Sequence, residues 1–243
     1  MKTNLNAILF SVAIVIASFF LGNAYKNKSN SKGIITVTGL GEKEFISDLI
    51  VWEGSFSKEN IDLKQAYSEL EKDKKMIEEY LLANKINSKD IVFKAVETQQ
   101  NKKKNYTIDG KFIGDEFIGY DLTESIQISS KEVEKIENLS RKITELLNKG
   151  IQFYSEPPRY YYTKLSDLKI ELVSKATEDA RLRVEKISEM SGAKIDKLED
   201  AQMGIFQITG QNSNEEYSWG GTFNTTSKEK KASITMKLTY KIK

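Results

Sequence analysis

Two glycines one residue apart, Gly39 and Gly41, close a β-branched run in ITVTGLGEKEF, residues 35–45. Backbone amides beside such glycines cradle phosphate when a helix begins directly after them. A Walker loop needs Gly-Lys-Ser/Thr before that helix. Neither feature is present, because Gly41 leads into ISDLIVWEGSFSKE, which alternates as a strand does. The reading is a tight hairpin between two strands, with glycine supplying a positive φ.

Other residues capable of chemistry are few. The chain has no His and no Cys. That removes thiol nucleophiles, Ser-His triads, disulfides, and the imidazole and thiolate ligands of zinc, haem and iron–sulfur centres. Two acidic pairs remain, Asp115–Glu116 and Glu199–Asp200, but neither has the alternating ligand spacing of a calcium loop. They read as solvated turns. No catalytic residue, metal site or cofactor is expected.

The side chains best suited to contact are aromatic. Tyr160, Tyr161 and Tyr162 follow Pro157–Pro158 and Arg159, either as a binding ledge or as a strand with alternating buried and exposed rings. Tyr217, Trp219 and Phe223 sit in a polar, glycine-containing loop, where large aromatics mark contact surfaces or fold back on their own core.

The elements that must position these residues follow from periodicity. Amphipathic stripes predict helices over about 61–84, 131–148 and 167–191. Their inward residues are Leu63, Ala66, Tyr67, Leu70, Ile77 and Leu81; then Val133, Ile136, Ile143 and Leu147; then Leu168, Leu172, Ala176, Ala180, Val184 and Ile187. Strands are expected at 34–38, 47–59, 91–99, 117–129, 151–156, 194–209 (bent or bulged near Gly204) and 232–243. The last alternates Ile234, Met236, Leu238, Tyr240 and Ile242 against polar residues. Residues 101–116 read as an exposed loop or hairpin tip. A strand–helix–strand pattern occurs twice, which favours duplicated units over one enzyme domain with a unique cleft. The fold class is α+β: repeated strand–helix–strand units, mixed or antiparallel sheets, and three long helices packing them.

The N-terminus is different. After Lys2 no charge occurs from Thr3 to Tyr25, and residues 7–22 are strongly apolar. Residues 1–25 read as a signal peptide, with cleavage after Ala24, or as a retained membrane anchor. Residues 26–33 are then a polar linker, and residues 34–243 the folded domain. With 37 basic and 35 acidic residues, a net charge of +2 gives no argument for nucleic acid.

Several blocks together resemble one family. ITVTGLGEKEF, LLANKINSKDIVFK, GYDLTESIQIS, NKGIQF and ATEDARLRVEKISEMSGAKIDKLEDA are similar, in order, to the SIMPL domain (DUF541), a family that includes bacterial periplasmic immunogenic proteins. Ala176, Ala180, Arg183, Ser188 and Gly192 occupy its helical pattern. Ser47–Asp48 stands where Pro-Asp is usual, and Val184 where Ala is usual. The resemblance implies an α+β protein of the cell envelope, periplasmic or otherwise extracytoplasmic, that oligomerises. Its members are linked to the envelope and to stress, and it supplies no catalytic residues. The expected function is a non-enzymatic, self-associating scaffold, tethered to the inner membrane if residues 7–22 are retained. The alternative is a module binding a small ligand or glycan through exposed aromatics.

Overall fold

The computed structural model describes residues 2–29 and 33–243, and within the first helix the side chains of residues 8–26. The elements in chain order are α1 (Lys2–Ser29), β1 (Ile34–Ile46), β2 (Leu49–Asn60), α2 (Leu63–Ala83), β3 (Ile91–Phe93), β4 (Glu97–Tyr106), β5 (Phe112–Ser130), α3 (Val133–Lys142), β6 (Phe153–Ser155), β7 (Arg159–Tyr161), α4 (Leu165–Ser191), β8 (Ile195–Met203), β9 (Gln207–Gly210) and β10 (Glu229–Ile242). Short 3-10 helices lie at Ser88–Asp90 and Ile143–Lys149. The fold class is α+β, with antiparallel sheet ladders.

Helix α1 contains a candidate membrane span, Ile8–Lys26, with a mean hydropathy of 2.0 and none of that span buried. Of the expected linker, residues 26–29 are helical, and residues 30–32 lie outside the described residues.

The folded part comprises two compact units. The larger takes in Glu42–Ile170 and Phe206–Ser233. Here β2 and β5 form the central antiparallel pair, in register from Ile50↔Ser130 to Asn60↔Tyr120. Strand β3 flanks β5, while β6 and β7 flank β2. Each of the two strand–helix–strand repeats therefore sends its second strand to the outer side of the other repeat's first strand. Alternation puts Ile50, Trp52 and Phe56 of β2, with Leu122, Ile126 and Ile128 of β5, on one buried face. Ala66, Leu70, Ile77 and Leu81 of α2 belong to the same core. Asp62 caps α2 by accepting the Gln65 amide at 2.9 Å, which satisfies one orphan N–H.

Two helix stripes of this unit differ from expectation. In α2, Leu63 and Tyr67 are exposed, so the stripe is narrower. After α3 the chain tightens into the 3-10 helix Ile143–Lys149, and its inward residues become Ile143 and Leu146, leaving Leu147 exposed. A 3-10 turn repeats every three residues, so the face shifts by one position. Gly150, at φ 78, ends it.

Residues 101–116, expected as a loop or hairpin tip, are mostly paired strand. Strands β4 and β5 pair from Glu97↔Thr123 to Tyr106↔Phe112. The connecting turn is closed by Thr107 N–H donating to Lys111 O at 2.8 Å.

The other unit takes in Met1–Gly41, Glu171–Ile205 and Ile234–Lys243. Ile234, Met236 and Leu238 of β10 are buried as alternation predicts, while Tyr240 and Ile242 are half-buried. Met203 to Ile195 of β8 pair antiparallel with Met236 to Ile242 of β10. The expected strand over 194–209 is two strands, β8 and β9, parted at Gly204. Leu172, Ala176, Ala180 and Val184 of α4 are buried at four-residue spacing, and the next buried position is Ser188, not Ile187.

The glycine hairpin is corrected. Strand β1 runs without a break through Gly39 and Gly41, and β1 joins the sheet of β10, not of β2. Neither glycine has a positive φ. A Cβ on Gly39 would lie 2.8 Å from Ala180 Cα and nearer still to Ala176 O; one on Gly41 would lie 2.9 Å from Ala176 N. The glycines let the backbones of β1 and α4 touch. Asp179 then accepts the Leu40 amide at 2.8 Å, and this hydrogen bond is the main cause of its lowered carboxyl pKa.

Candidate functional site

The sequence-predicted aromatics fall into different environments, all within the larger unit. Tyr160 is buried in β7 and its hydroxyl donates to Glu137 at 3.2 Å, so it is core and not ledge. Burial, followed by the Glu137 charge, raises the phenol pKa. Tyr161 and Tyr162 are half-buried, and Tyr162 packs on Phe45 with ring centroids 4.7 Å apart.

Glu137 is the hub beneath that strand. It receives Lys228 Nζ at 2.9 Å and Arg141 Nη2 at 2.8 Å. The hydrogen bond from Lys228 lowers its pKa from 4.5, against the opposing pull of burial. A depressed carboxyl contributes stability above the unfolded value and loses it as pH falls through the lower folded value. We expect Glu137→Gln to cost about 1–2 kcal/mol at neutral pH. The variant's stability should also fall less steeply below pH 4.5, as measured by urea unfolding across an acid series.

Trp219 is 95% exposed. It sits on a turn held by a buried residue, Gln207 of β9. Gln207 Nε2 donates to Ser218 O at 2.8 Å, and its Oε1 accepts Thr222 N–H at 2.6 Å. Gly221, at φ 90, donates its N–H to Ser218 O at 3.0 Å and closes the turn. Tyr217 is hydrogen-bonded through its hydroxyl to Ser233 Oγ at 3.2 Å, and Phe223 bridges to Ile208. Tyr217 is thus tied through its ring hydroxyl and Phe223 through its backbone, although both rings keep exposed surface, and the indole is presented.

A second apolar surface was not anticipated. On the β4–β5 arm, Tyr106, Ile108, Phe112, Ile113, Phe117 and Ile118 are all exposed. The signal was present in FIGDEFIG, residues 112–119, whose apolar pairs are unusual for a solvated loop. Lys102, Lys103 and Lys104 line β4, a strand that among the described residues pairs only with β5, and such charges discourage strand addition at an edge.

A cleft of about 660 Å³ opens on the polar side of the β2–β5 pair. Ser55, Ser57, Asp121, Thr123, Gln152 and Tyr154 line it. Asp121 Oδ1 is buried there without a hydrogen-bond partner, while the Tyr154 ring is exposed.

The acidic pairs lie apart from these features. Asp115 and Glu116 are exposed on the β4–β5 arm, and Glu199 pairs with Lys241 at 2.9 Å. Among the described residues no group of three or more His, Cys, Asp or Glu could hold a metal ion.

Fold and surfaces together define an α+β protein with an N-terminal apolar helix, a combination compatible with export. The chain belongs to the SIMPL family, a protein of unknown function (DUF541), whose model matches residues 35–240. No curated protein matches the chain.

Proposed function

We propose that this is an exported or membrane-tethered protein of the bacterial cell envelope, non-enzymatic, that associates with further copies of itself. The observation that carries the reading is Trp219, an almost fully exposed indole on a turn locked from beneath by a buried glutamine. Displaying an indole in water costs solubility, and ordering its turn costs conformational entropy; burial against a partner offsets both. The exposed apolar residues of the β4–β5 arm add area of the same character. The lysines along β4 favour face-to-face contact over strand addition.

The test is solution mass by light scattering across a concentration series, on residues 33–243. A discrete multimer is expected. Trp219→Ala should shift it toward monomer, weakening association by roughly 30-fold, the size of an ordinary hot spot. Unfolding stability should stay within about 0.5 kcal/mol, since the ring touches little of its own chain. A strictly monomeric protein at all concentrations overturns the reading.

A second reading rests on the cleft at Tyr154. Its hydroxyl and amide groups, one exposed ring and one unpartnered carboxylate oxygen, beside the charged Lys58 and Glu59, suit a sugar. A soluble glycan panel followed by Tyr and Trp fluorescence tests it, and absence of any saturable response removes it.

A further inference from the structure

An amine, a carboxamide and a carboxylate meet at the base of the Trp219 loop. Lys230 is 2% exposed and Asn224 6%. Lys230 Nζ donates to the main-chain oxygen of Asn224 at 2.6 Å and to its Oδ1 at 3.2 Å. Oδ1 also accepts the Ser227 N–H at 2.8 Å. On the other side of the carboxamide, Nδ2 donates to Glu215 Oε1 at 2.6 Å and to Thr226 Oγ1 at 3.2 Å. Donors face the oxygen and acceptors face the nitrogen, so the amide orientation follows from its partners. Glu215 is itself anchored, its Oε2 accepting Gly210 N–H at 2.8 Å and Ser213 Oγ at 3.2 Å.

Each group is placed for one reaction. Burial lowers the Lys230 pKa to about 8, against the opposing charge of Glu215, so a fraction of the amine is neutral and nucleophilic near neutral pH. The Ser227 N–H polarises the carbonyl and would hold the oxyanion. The Gly210 amide, first among several hydrogen bonds, lowers the Glu215 pKa and keeps it a carboxylate, a base touching the nitrogen that must leave. Burial excludes competing water and holds the reactants together, which replaces a bimolecular encounter with an intramolecular one.

We propose that Lys230 and Asn224 join through an intramolecular isopeptide bond. A rotation at the end of the lysine side chain exchanges its hydrogen bond to Oδ1 for contact with Cγ. The Nζ–Cγ bond forms, and the carbonyl electron pair moves to Oδ1. The proton released from Nζ passes to the Glu215 carboxylate and from there to Nδ2. The Cγ–Nδ2 bond then breaks, the carbonyl re-forms, and ammonia leaves past the solvent-exposed side of Glu215. The balance is amine plus carboxamide giving secondary amide plus ammonia, with no oxidant or co-reactant. The product ties the loop to the start of β10 in a chain that has no cysteine for a disulfide.

The test is peptide mapping of the full chain by mass spectrometry after digestion with a lysine-specific protease. No lysine lies between Lys197 and Lys228, so cleavage releases residues 198–228 with Asn224 inside. The bond blocks cleavage after Lys230 and yields residues 198–228 joined to residues 229–231, lighter by one ammonia than the sum of the two peptides. Lys230→Arg should abolish the branched product. Glu215→Gln, which keeps the hydrogen-bond spacing without the base, should leave at least a tenfold larger share of linear peptide. Linear wild-type peptides with intact Asn224 and cleavage at Lys230 overturn the proposal. So does a loss of ammonia that persists in Lys230→Arg. The wild-type map decides even if a variant fails to fold.

Discussion

Replacing Gly39 with alanine should destabilise the protein by about 3 kcal/mol or more, the upper range for overpacking. The reason is that the obstacle is backbone. The added methyl would meet Ala176 O, Ala180 N and Ala180 Cα, none of which can rotate away as a side chain can. Either α4 lifts from β1 or the strand shifts, and both uncover Ala176 and Ala180, which are now wholly buried. Gly41→Ala meets Leu172 O and Ala176 N and should behave alike. Gly22→Ala is the control, since nothing lies within 4 Å of its Cβ position. Urea titration followed by far-UV circular dichroism reads the difference. A wild-type midpoint in Gly39→Ala would mean that the strand and helix are not in backbone contact.

The second large effect is expected at Lys74. Its ammonium lies 2.7 Å from Glu124 Oε1, and the Glu124 side chain is 1% exposed. The other oxygen, Oε2, is buried without a partner. Lys74 is the only cation paired with Glu124 among the described residues. Lys74→Met therefore strands a charge in the core, at a cost of about 3 kcal/mol. Adding Glu124→Leu should recover most of that loss, because removing both partners leaves no uncompensated charge. The double-mutant cycle by urea unfolding measures the coupling directly. The pH dependence has a sign. Burial lowers the Lys74 pKa, but the hydrogen bond and charge of Glu124 outweigh it, so the pKa stands above 10.5. A raised lysine contributes stability below its unfolded value and loses it as pH climbs through the folded value. The wild-type advantage over Lys74→Met should thus persist at neutral pH and shrink above about pH 10.5.

Much of the fold was legible because periodicity reports burial. Strand β10 alternates strictly, and one register slip would expose its whole apolar set, so its inner face could be read directly. The repeated strand–helix–strand pattern is real as well: β2–α2–β3 and β5–α3–β6 build one sheet around the β2–β5 pair. Helix stripes were readable only to within one position. The shift from Leu147 to Leu146 follows a change of helix type that the residues do not announce. The β4–β5 arm was missed because charge and glycine mask strand pairing when both faces are wet.

The candidate surfaces divide in the same way. Trp219 stood out as a large aromatic in a polar loop, yet nothing local distinguished it from Tyr217, which is held by Ser233. Tyr160 looked like Tyr161 and Tyr162 until β7 paired with β2 and turned one ring inward. Asn224, Lys230 and Glu215 read as ordinary polar residues, because their significance is a set of distances and not a spacing.

The sequence by itself determined the class of the protein. An apolar N-terminal helix, alternating strands and amphipathic helices depend on short-range order, and the absence of His and Cys excludes whole chemistries outright. Tertiary structure alone decided what each special residue is for. A glycine that opens a turn and a glycine that admits a helix are the same letter. Gly39 and Gly41 were assigned only when α4, more than 130 residues later in the chain, came to lie against them. Contacts between distant segments depend on packing, and packing is not written in any local stretch of residues.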